Sequence, residues 1–576
     1  MEKQFAVARI LEEIGTLLEL KGENPFKSRA YFNAARTVEM LGEEELERLV
    51  REEKLREVRG IGSALGDKLK ELVLTGRLPY YEELKASVPD GLLEILKIPG
   101  LGLRKVKALY EVLGITSLAE LEYACRENRL VNLKGFGRKT QENILAGIEF
   151  LRRNQGRYYI SEALRIGEDF IARLKKFPGL GEVSLAGSVR RFREIVKDID
   201  IVASAGEPDL LTRFTASLPV VAEVIALGDT KVSVRLEEGI NVDLRVVKRE
   251  EFPYALHHFT GSKEHNTALR SRAKKVGLKI NEYGLFRDQE LVVCRDETEF
   301  FAALGLDWIP PELRENNGEI EAAEKHALPE LVKTEDIRGI FHVHSTYSDG
   351  TAGLEEIVRH CLEAGYEYVG ITDHSQSAFY AGGLKEEDLQ QQAEEIDTLR
   401  KKYKDIAILR GVEADIRADG SLDYPDNILE KLDFVIASVH SGLFMEREKM
   451  TARIVRALTH PRVTMLGHPT NRLLLGRESS PLDLEQVFEA ARANKVILEL
   501  NANPARLDLD WRHLKHVKKM GLLVSINPDA HRLADFAHTG QGVSFARKGW
   551  LEKENVFNTF PRSEIENYLQ LRRSAG

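Results

Sequence analysis

The sequence predicts a multidomain protein that combines α+β and α/β architecture. Three observations predict it. A Gly-x-Gly turn leading into a helix occurs three times before residue 150, and residues 157–249 mix short strands with helices and carry three aspartates. After residue 336, strand-like runs repeatedly end in histidine or acidic residues, as in a (β/α) barrel. A length of 576 residues is ample for several such domains.

Composition narrows the class of protein without revealing its function. With 43% hydrophobic and 30% charged residues, the chain reads as globular, and no apolar run approaches the ~18 residues of a membrane span, so we expect no membrane partner. The N-terminus enters an acidic amphipathic helix with no signal-peptide core, and three dispersed cysteines predict neither disulfides nor a thiolate zinc cluster. We therefore expect a cytoplasmic protein. A net charge of -9 argues mildly against a nucleic-acid partner, so local motifs must decide.

Two aspartates in the segment 198–202 are the first candidate site. Polar and apolar residues alternate there, which predicts a strand with Asp198 and Asp200 on one face. The segment 240–246 has the same alternation and adds Asp243. Three carboxylates on adjacent strands can hold two divalent metal ions for phosphoryl transfer. A lone Asp-x-Asp is more often a solvated face, but the turn at Gly187-Ser188, suited to phosphate binding, favours the metal site.

The three Gly-x-Gly turns share one pattern: an apolar residue, the two glycines, and then a helix with basic residues in its first turns. A single copy would suggest only a corner between helices. Three copies indicate helix-hairpin-helix elements, whose turns hold DNA phosphates without reading sequence. The motifs are Val58-Arg59-Gly60-Ile61-Gly62, Ile98-Pro99-Gly100-Leu101-Gly102 and Leu133-Lys134-Gly135-Phe136-Gly137, followed by helices over 63–74, 103–113 and 138–148.

The C-terminal part contains seven strand–helix units whose strands end in possible metal ligands. His342 and His344 lie in one strand and are predicted to share a face, which alone would be an ambiguous signal. Burying polar residues at six strand ends requires compensation, so repetition favours a metal centre over ordinary core histidines. Imidazole and carboxylate together suit zinc, manganese or iron, and the sequence does not choose among them.

Residues 1 to about 315 resemble a family X DNA polymerase of the DNA polymerase beta type. The resemblance rests on the turn, the three aspartates, two of the hairpins and the ending Trp308-Ile309-Pro310-Pro311. It implies template-directed nucleotide addition with two Mg²⁺ or Mn²⁺ ions, bound by Asp198 and Asp200, with Asp243 on the catalytic ion. It also implies that the triphosphate is held by Gly187, Ser188 and Arg191, the nucleotide is lined by Phe259, Thr260, Gly261, Ser262 and Asn266, and the template side is met by Arg270.

Two further positions bear on what such a polymerase would do. His258 stands where vertebrate relatives have tyrosine beside the incoming sugar, which puts discrimination against ribonucleotides in question, and Lys197 stands where many nucleotidyltransferases have glycine. Lys68 matches the lysine that forms a Schiff base in relatives with 5′-deoxyribose phosphate lyase activity, and Lys27 and Tyr31 match its pocket. The alternative, that Lys68 is a simple phosphate contact on a hairpin helix, is slightly favoured.

Residues 336 to about 570 resemble the polymerase and histidinol phosphatase (PHP) family. The resemblance implies a distorted seven-stranded barrel that binds up to three Zn²⁺, Mn²⁺ or Fe ions and hydrolyses phosphoesters with a metal-bound hydroxide. It assigns nine ligands, all present here: His342, His344, Asp349, His374, Glu413, His440, His468, Asp529 and His531.

Together the two resemblances predict a monomeric bacterial- or archaeal-type repair polymerase that takes dNTPs and gapped or primer-template DNA. The barrel would act as a 3′–5′ exonuclease, a 3′-phosphatase or an abasic endonuclease. A phosphatase of a small metabolite is the alternative, which the DNA-gripping hairpins disfavour, and a DNA-binding scaffold is disfavoured by the intact acids. The predicted regions are an N-terminal helical domain (1–82), fingers (83–152), a nucleotidyltransferase palm (153–250), a thumb (251–316), a linker (317–335) and the PHP domain (336–576).

Overall fold

The structure is a computed structural model that describes residues 3–41, 43–58, 60–126, 129–130, 133, 135–443 and 445–574. Arg59 and Lys134 of the hairpin motifs lie outside the described residues. The chain divides into two compact units, Met1–Gln155 and Gly156–Gly576, which are treated separately below. Among the described residues, no helix is both long and apolar enough to cross a membrane.

The first unit is helical. Asn24 caps the second helix by accepting a hydrogen bond from the Phe26 amide at 2.9 Å, and Pro25 occupies the first position of that helix. The apolar faces of these helices form one core, in which Leu11, Ala34 and Leu69 are fully buried. The helices are α1 (Lys3–Leu20), α2 (Pro25–Met40), α3 (Glu43–Arg51), α4 (Ser63–Thr75), α5 (Pro79–Ala86), α6 (Asp90–Ile95), α7 (Leu103–Leu113), α8 (Leu118–Arg126) and α9 (Arg138–Asn154).

The second unit begins with a five-stranded sheet in the order β2-β4-β7-β6-β5. Strands β4 and β7 are parallel, and the other neighbours are antiparallel. Strand β7 alternates buried and half-buried residues, as its sequence predicts. The elements are β1 (Tyr158–Tyr159), α10 (Ile160–Leu174), β2 (Leu180–Leu185), α11 (Gly187–Arg190), β3 (Ile195–Val196), β4 (Asp198–Ala205), α12 (Pro208–Ala216), β5 (Val221–Leu227), β6 (Lys231–Leu236) and β7 (Asn241–Val247).

A small region with its own apolar cluster follows this sheet. It comprises α13 (Phe252–Thr260), α14 (Lys263–Lys275), β8 (Lys279–Asn281), β9 (Gly284–Arg287), β10 (Glu290–Leu291), α15 (Glu297–Ala303) and α16 (Glu319–Glu324). Helix α16 lies in the segment predicted as a linker, yet Ile320 and Ala323 pack in the same cluster and Glu319 is buried beside His265 at 2.6 Å. The first half of that segment is therefore packed structure rather than a tether.

The C-terminal part alternates short parallel strands with helices, in the mixed α/β fold that the sequence predicts. Its strands form sheets of three (β11-β12-β13) and five (β14 to β18). The elements are β11 (Gly339–Val343), α17 (Leu354–Glu363), β12 (Tyr368–Ile371), α18 (Glu386–Lys402), β13 (Ala407–Arg410), β14 (Glu413–Asp415), α19 (Asp426–Leu429), β15 (Ile436–Ser438), α20 (Arg447–Leu458), β16 (Met465–Leu466), α21 (Leu484–Ala493), β17 (Ile497–Asn501), α22 (Trp511–Lys519), β18 (Val524–Asn527), α23 (His538–Lys548) and α24 (Arg562–Ser574).

The two sheets meet at both of their edges. Single parallel bridges join Val343 to Ala530 and His374 to Glu413. Strands β13 and β14 are separated only by Gly411 and Val412, so the ring contains seven strand positions, as predicted. Within the described residues the hydrogen-bonded ladder is interrupted at these seams, and a continuously closed barrel is not formed. The predicted metal ligands lie at these interruptions of the ladder.

Candidate metal centres

The register of β4 and β7 brings the three predicted catalytic aspartates together. Asp200 lies directly opposite Asp243, and Asp198 lies opposite Asn241. Between the acids, Ile199 and Val242 point into the core and are fully buried. The three carboxylates therefore emerge on one face, at the start of two adjacent strands.

The carboxylates on this face repel one another, which favours the binding of a cation. Burial, and then repulsion from the carboxylates of Asp198 and Asp243, raises the pKa of Asp200 to about 6. The pKa of Asp198 is also raised, by burial and by Asp243. An all-oxygen donor set under mutual repulsion fits hard divalent ions such as Mg²⁺ or Mn²⁺. The three residues would hold such ions, which supply charge stabilisation for phosphoryl transfer.

The turn before β4 requires glycine for two independent reasons. Gly187 has φ +58°, and a Cβ built on it would lie 1.9 Å from Oδ2 of Asp200. The amide of Ala186 donates to the backbone carbonyl of Asp200 at 2.8 Å, which fixes the turn against the strand. Gly187 and Ser188 are thereby held beside the acidic face, where the sequence predicts the triphosphate.

Arg191 is connected to the other predicted nucleotide-binding residues. It donates from Nη1 to the carbonyl of Thr260 at 2.7 Å and from Nε to Glu315 at 3.1 Å. Ser262 caps α14 by accepting from the His265 amide at 3.0 Å. Thus the turn between α13 and α14 and the loop after α11 form one hydrogen-bonded assembly.

The remaining predicted nucleotide residues lie on or near that turn. Asn266 donates to the carbonyls of His258 and Gly261, at 2.7 and 3.3 Å. Phe259 lies under the Arg245 guanidinium, 5.3 Å from the ring centroid. Arg270 is exposed on α14, and the structure does not bring it to the acidic face by any contact that it records.

Two residues beside Asp243 escaped the sequence interpretation. The hydroxyl of Ser233 donates to Oδ1 of Asp243, and Nζ of Lys231 lies 3.4 Å from its Oδ2. Both are on β6, the antiparallel neighbour of β7, where Ser233 is directly opposite Asp243. Strand alternation in β6 would have placed Lys231 and Ser233 on one face, but only the register shows that this face is the acidic one.

The nine ligands predicted in the C-terminal part converge on one buried site. Three subsets have ligand atoms within 4.8 Å of one another: His344, Asp349, His374 and His531; His342, His344 and Asp529; and His374, Glu413 and His440. The ninth residue, His468, joins them through Nε2, 3.0 Å from Oε1 of Glu413. The three groups overlap at His344 and His374.

The side chains in this site fit metal ions better than they fit one another. In the described part of the chain, Nε2 of His342, Nε2 of His344 and Oε2 of Glu413 are buried without a hydrogen-bond partner. Such atoms are costly unless an ion engages them. Burial opposes charge on Glu413, but the imidazoles of His440, His342 and His374 hold its pKa well below the ordinary value. A mixed imidazole and carboxylate set suits zinc, manganese or iron.

Residues behind the ligands hold two of the imidazoles in place. Glu499, in the middle of β17, accepts from Nδ1 of His342 at 2.5 Å, and Asp415, at the end of β14, accepts from Nδ1 of His440. Each bond leaves the ring's Nε2 for the metal side and makes it a better ligand. Neither Glu499 nor Asp415 was among the residues predicted from the sequence.

The backbone is strained at this site, which local sequence patterns do not predict. His342 has φ +60° and Asp529 has φ +52°, in the left-handed region that costs energy for residues other than glycine. Strand β11 ends at Val343, and the ring centroids of His342 and His344 lie 5.2 Å apart.

In the first unit, Lys68 lies in an aromatic pocket. Its Nζ donates to Tyr31 at 2.8 Å and lies 3.3 Å from the ring centroid of Tyr80. Burial, and then the neighbouring charge of Lys27, lowers the pKa of Lys68. The structure thus brings together the three residues predicted from sequence and adds Tyr80, which stacks on Tyr31 at 6.3 Å.

The three hairpin turns have one backbone geometry. Their first glycines, Gly60, Gly100 and Gly135, have φ of +94°, +77° and +89°. Their second glycines, Gly62, Gly102 and Gly137, precede α4, α7 and α9 and supply no side-chain cap to those helices. The first amides of each helix are therefore available to an anion such as a DNA phosphate.

Comparison with known proteins decides the family. The DNA polymerase/3′-5′ exonuclease PolX of Bacillus subtilis is 40% identical over 568 residues, covering 98% of this chain and 99% of the relative. The chain belongs to the family X DNA polymerases that carry a PHP domain. Family models match along this polymerase-type chain: a helix-hairpin-helix domain over 3–78, a SAM-like helix-hairpin-helix tandem over 92–149, a DNA polymerase beta thumb over 255–315 and a PHP domain over 341–503.

Shorter relatives match about two fifths of this family X chain. A probable phosphatase of Thermoanaerobacter sp. (strain X514) is 29% identical over 247 residues, covering 40% of this chain and 93% of the relative. A probable phosphatase of Caldanaerobacter subterraneus subsp. tengcongensis is 30% identical over 251 residues, covering 40% of this chain and 91% of the relative.

Proposed function

We propose that this chain is a DNA-directed DNA polymerase that fills short gaps, as in base excision repair. The observation that carries the proposal is the pairing of Asp200 with Asp243 on parallel strands, with Asp198 on the same face and the Gly187 turn against it. Three acids at this spacing suit two Mg²⁺ or Mn²⁺ ions. The chain's own task is to hold the primer end and the triphosphate in line, using Ser188, Arg191 and the turn at 259–262.

The PHP domain, in this proposal, is a metal-dependent 3′–5′ exonuclease that removes or cleans primer ends. Nine converging ligands and unpartnered buried atoms support hydrolysis assisted by Zn²⁺, Mn²⁺ or Fe ions. A 3′-phosphatase or an abasic endonuclease would use the same centre. Phosphatase activity on a small metabolite is the second candidate, favoured by the probable phosphatases that are similar to 40% of this chain.

We further propose a cytoplasmic monomer that acts on gapped DNA bound by the three hairpins. Its domain boundaries are those predicted, except that the first half of the predicted linker packs with the preceding region. A 5′-labelled primer in a 5′-phosphorylated single-nucleotide gap tests the whole proposal. With dNTPs and Mg²⁺ or Mn²⁺ the primer should lengthen, and without dNTPs in Mn²⁺ or Zn²⁺ it should shorten. A primer that never lengthens would end the polymerase assignment. Hydrolysis of p-nitrophenyl phosphate with an intact primer would favour the metabolite phosphatase.

A second activity is proposed for the first unit: removal of 5′-deoxyribose phosphate through a Schiff base on Lys68. The lowered pKa of Lys68 leaves more of the neutral amine that attacks an aldehyde. Borohydride should trap this protein covalently on DNA with a 5′-deoxyribose phosphate end. Lys68→Met should abolish trapping, whereas Lys70→Met, which removes an exposed lysine paired with Glu53, should not. Equal trapping of both variants would leave Lys68 as a phosphate contact.

A further inference from the structure

The loop that carries Arg191 is held from the PHP part of the second unit. This loop, residues 191–194, connects α11 to β3 and so continues the turn predicted to bind the triphosphate. At its far end, Glu194 accepts from the indole of Trp511 at 3.3 Å and pairs with Arg512 at 2.8 Å. Both partners lie in the first turn of α22, and therefore in the domain with the other metal centre.

At the near end of the loop, a single lysine of α23 binds both the backbone and the ion partner of Arg191. Lys548 donates to the carbonyl of Arg191 at 2.9 Å, to the carbonyl of Glu312 at 3.2 Å and to Oε1 of Glu315 at 2.7 Å. These three acceptors use all three protons of the ammonium group. The Lys548 side chain is completely buried, so water does not compete for them.

Glu315 is shared between the two domains. Its Oε1 accepts from Lys548 and also from Nε of Arg191 at 3.1 Å, while Arg193 lies 3.7 Å from Oε2. Burial would favour the neutral acid, but Lys548 and then Arg191 hold its pKa below the ordinary value. The strength with which Glu315 holds Arg191 therefore depends on how much of its charge Lys548 neutralises.

We propose that Lys548 is a positioning residue for the polymerase centre: from the PHP domain, it sets the place and the charge environment of Arg191, and so the affinity for the incoming triphosphate. This inference rests on the proposed polymerase function. Without Lys548, the charge of Glu315 is less neutralised, so Glu315 binds Arg191 more strongly and competes with the phosphates for it. The Arg191 carbonyl also loses its hydrogen-bond donor. Both changes weaken nucleotide binding more than they slow the chemical step.

The test is single-nucleotide gap filling by Lys548→Met, which replaces lysine with an uncharged side chain of similar length. The KM for dNTP should rise by about threefold to tenfold, the range of couplings through buried networks, while kcat changes less. Nuclease activity on the same primer without dNTPs should be unchanged and shows that α23 is folded. Lys518→Met is the matched control, because Lys518 bonds within the PHP domain to the Trp550 carbonyl at 3.1 Å and to Glu552.

Two further variants separate positioning from general damage. Lys548→Gln keeps neutral donors for the two carbonyls but places no positive charge beside Glu315, so it should also raise the KM. If Lys548→Met does not fold, Lys548→Gln tests the inference in its place. In Lys548→Met combined with Glu315→Gln, the effects should be less than additive, because Lys548 acts through Glu315. A wild-type KM in active, folded Lys548→Gln overturns the inference, whereas wild-type protein that adds no nucleotide overturns the proposed function instead.

Discussion

The acidic centre of the palm and the histidine centre of the PHP domain compensate charge in opposite ways. In the palm, three carboxylates lie together, and burial followed by their mutual repulsion raises the pKa of Asp200 to about 6. In the PHP domain, six imidazoles surround three carboxylates, and the pKa of Glu413 is held low. The acidic face of the palm therefore needs cations to relieve its repulsion, while in the histidine centre imidazoles already lie beside the carboxylates. This difference predicts two centres that fail independently.

The largest effect should come from Asp198→Ala combined with Asp200→Ala. Losing two of three carboxylates removes the sites for both cations, so nucleotide addition should fall to background. Primer shortening by the same protein should continue at the wild-type rate, and that rate serves as the internal control for folding. Measurable extension by the double variant would show that the acidic face is not the polymerase centre.

The converse variant is His342→Ala with His344→Ala. It removes a ligand shared by two of the three groups, so metal bound after gel filtration, measured by atomic emission, should drop together with nuclease activity. Gap filling should persist. His516→Ala is a suitable control, since His516 is exposed and pairs with Glu485 at 2.9 Å outside the centre. Unchanged metal content would contradict the assignment of these two ligands.

A smaller effect, confined to the palm, is expected for Gly187→Ala. The new methyl group must avoid Oδ2 of Asp200, 1.9 Å away, in a backbone conformation that alanine resists. Displacing a reacting group by about 1 Å costs roughly 100-fold in rate, so kcat/KM for nucleotide addition should fall by about that factor. Gly206→Ala, at a position with open space around it, should leave the rate unchanged. Equal kcat/KM values for the two variants would show that the close approach of Gly187 to Asp200 does not affect nucleotide addition.

The two centres also differ in how far the sequence could predict them. The palm acids were predicted from strand alternation, because both strands are regular and their register follows the pattern of buried residues. The nine PHP ligands were assigned by resemblance. What local patterns do not encode is the strain at His342 and Asp529, the orienting role of Asp415, and the contact of Lys548 with Arg191 across 357 residues. These depend on tertiary contacts that bring distant segments together.

The smallest of the expected effects tests one of those missed residues. Asp415→Asn replaces the acceptor behind His440 with an amide that accepts a weaker hydrogen bond, so His440 becomes a poorer ligand while its position is kept. Loss of such a partner lowers metal affinity or activity by about 10-fold at the mild end of the known range. Added Mn²⁺ should restore most of the nuclease rate, which would not happen if Asp415 acted directly on the substrate. Asp419→Asn, on the exposed turn bonded to Ser421, should need no added metal. A loss of nuclease activity that excess metal leaves untouched would move Asp415 from the support of His440 into the reaction itself.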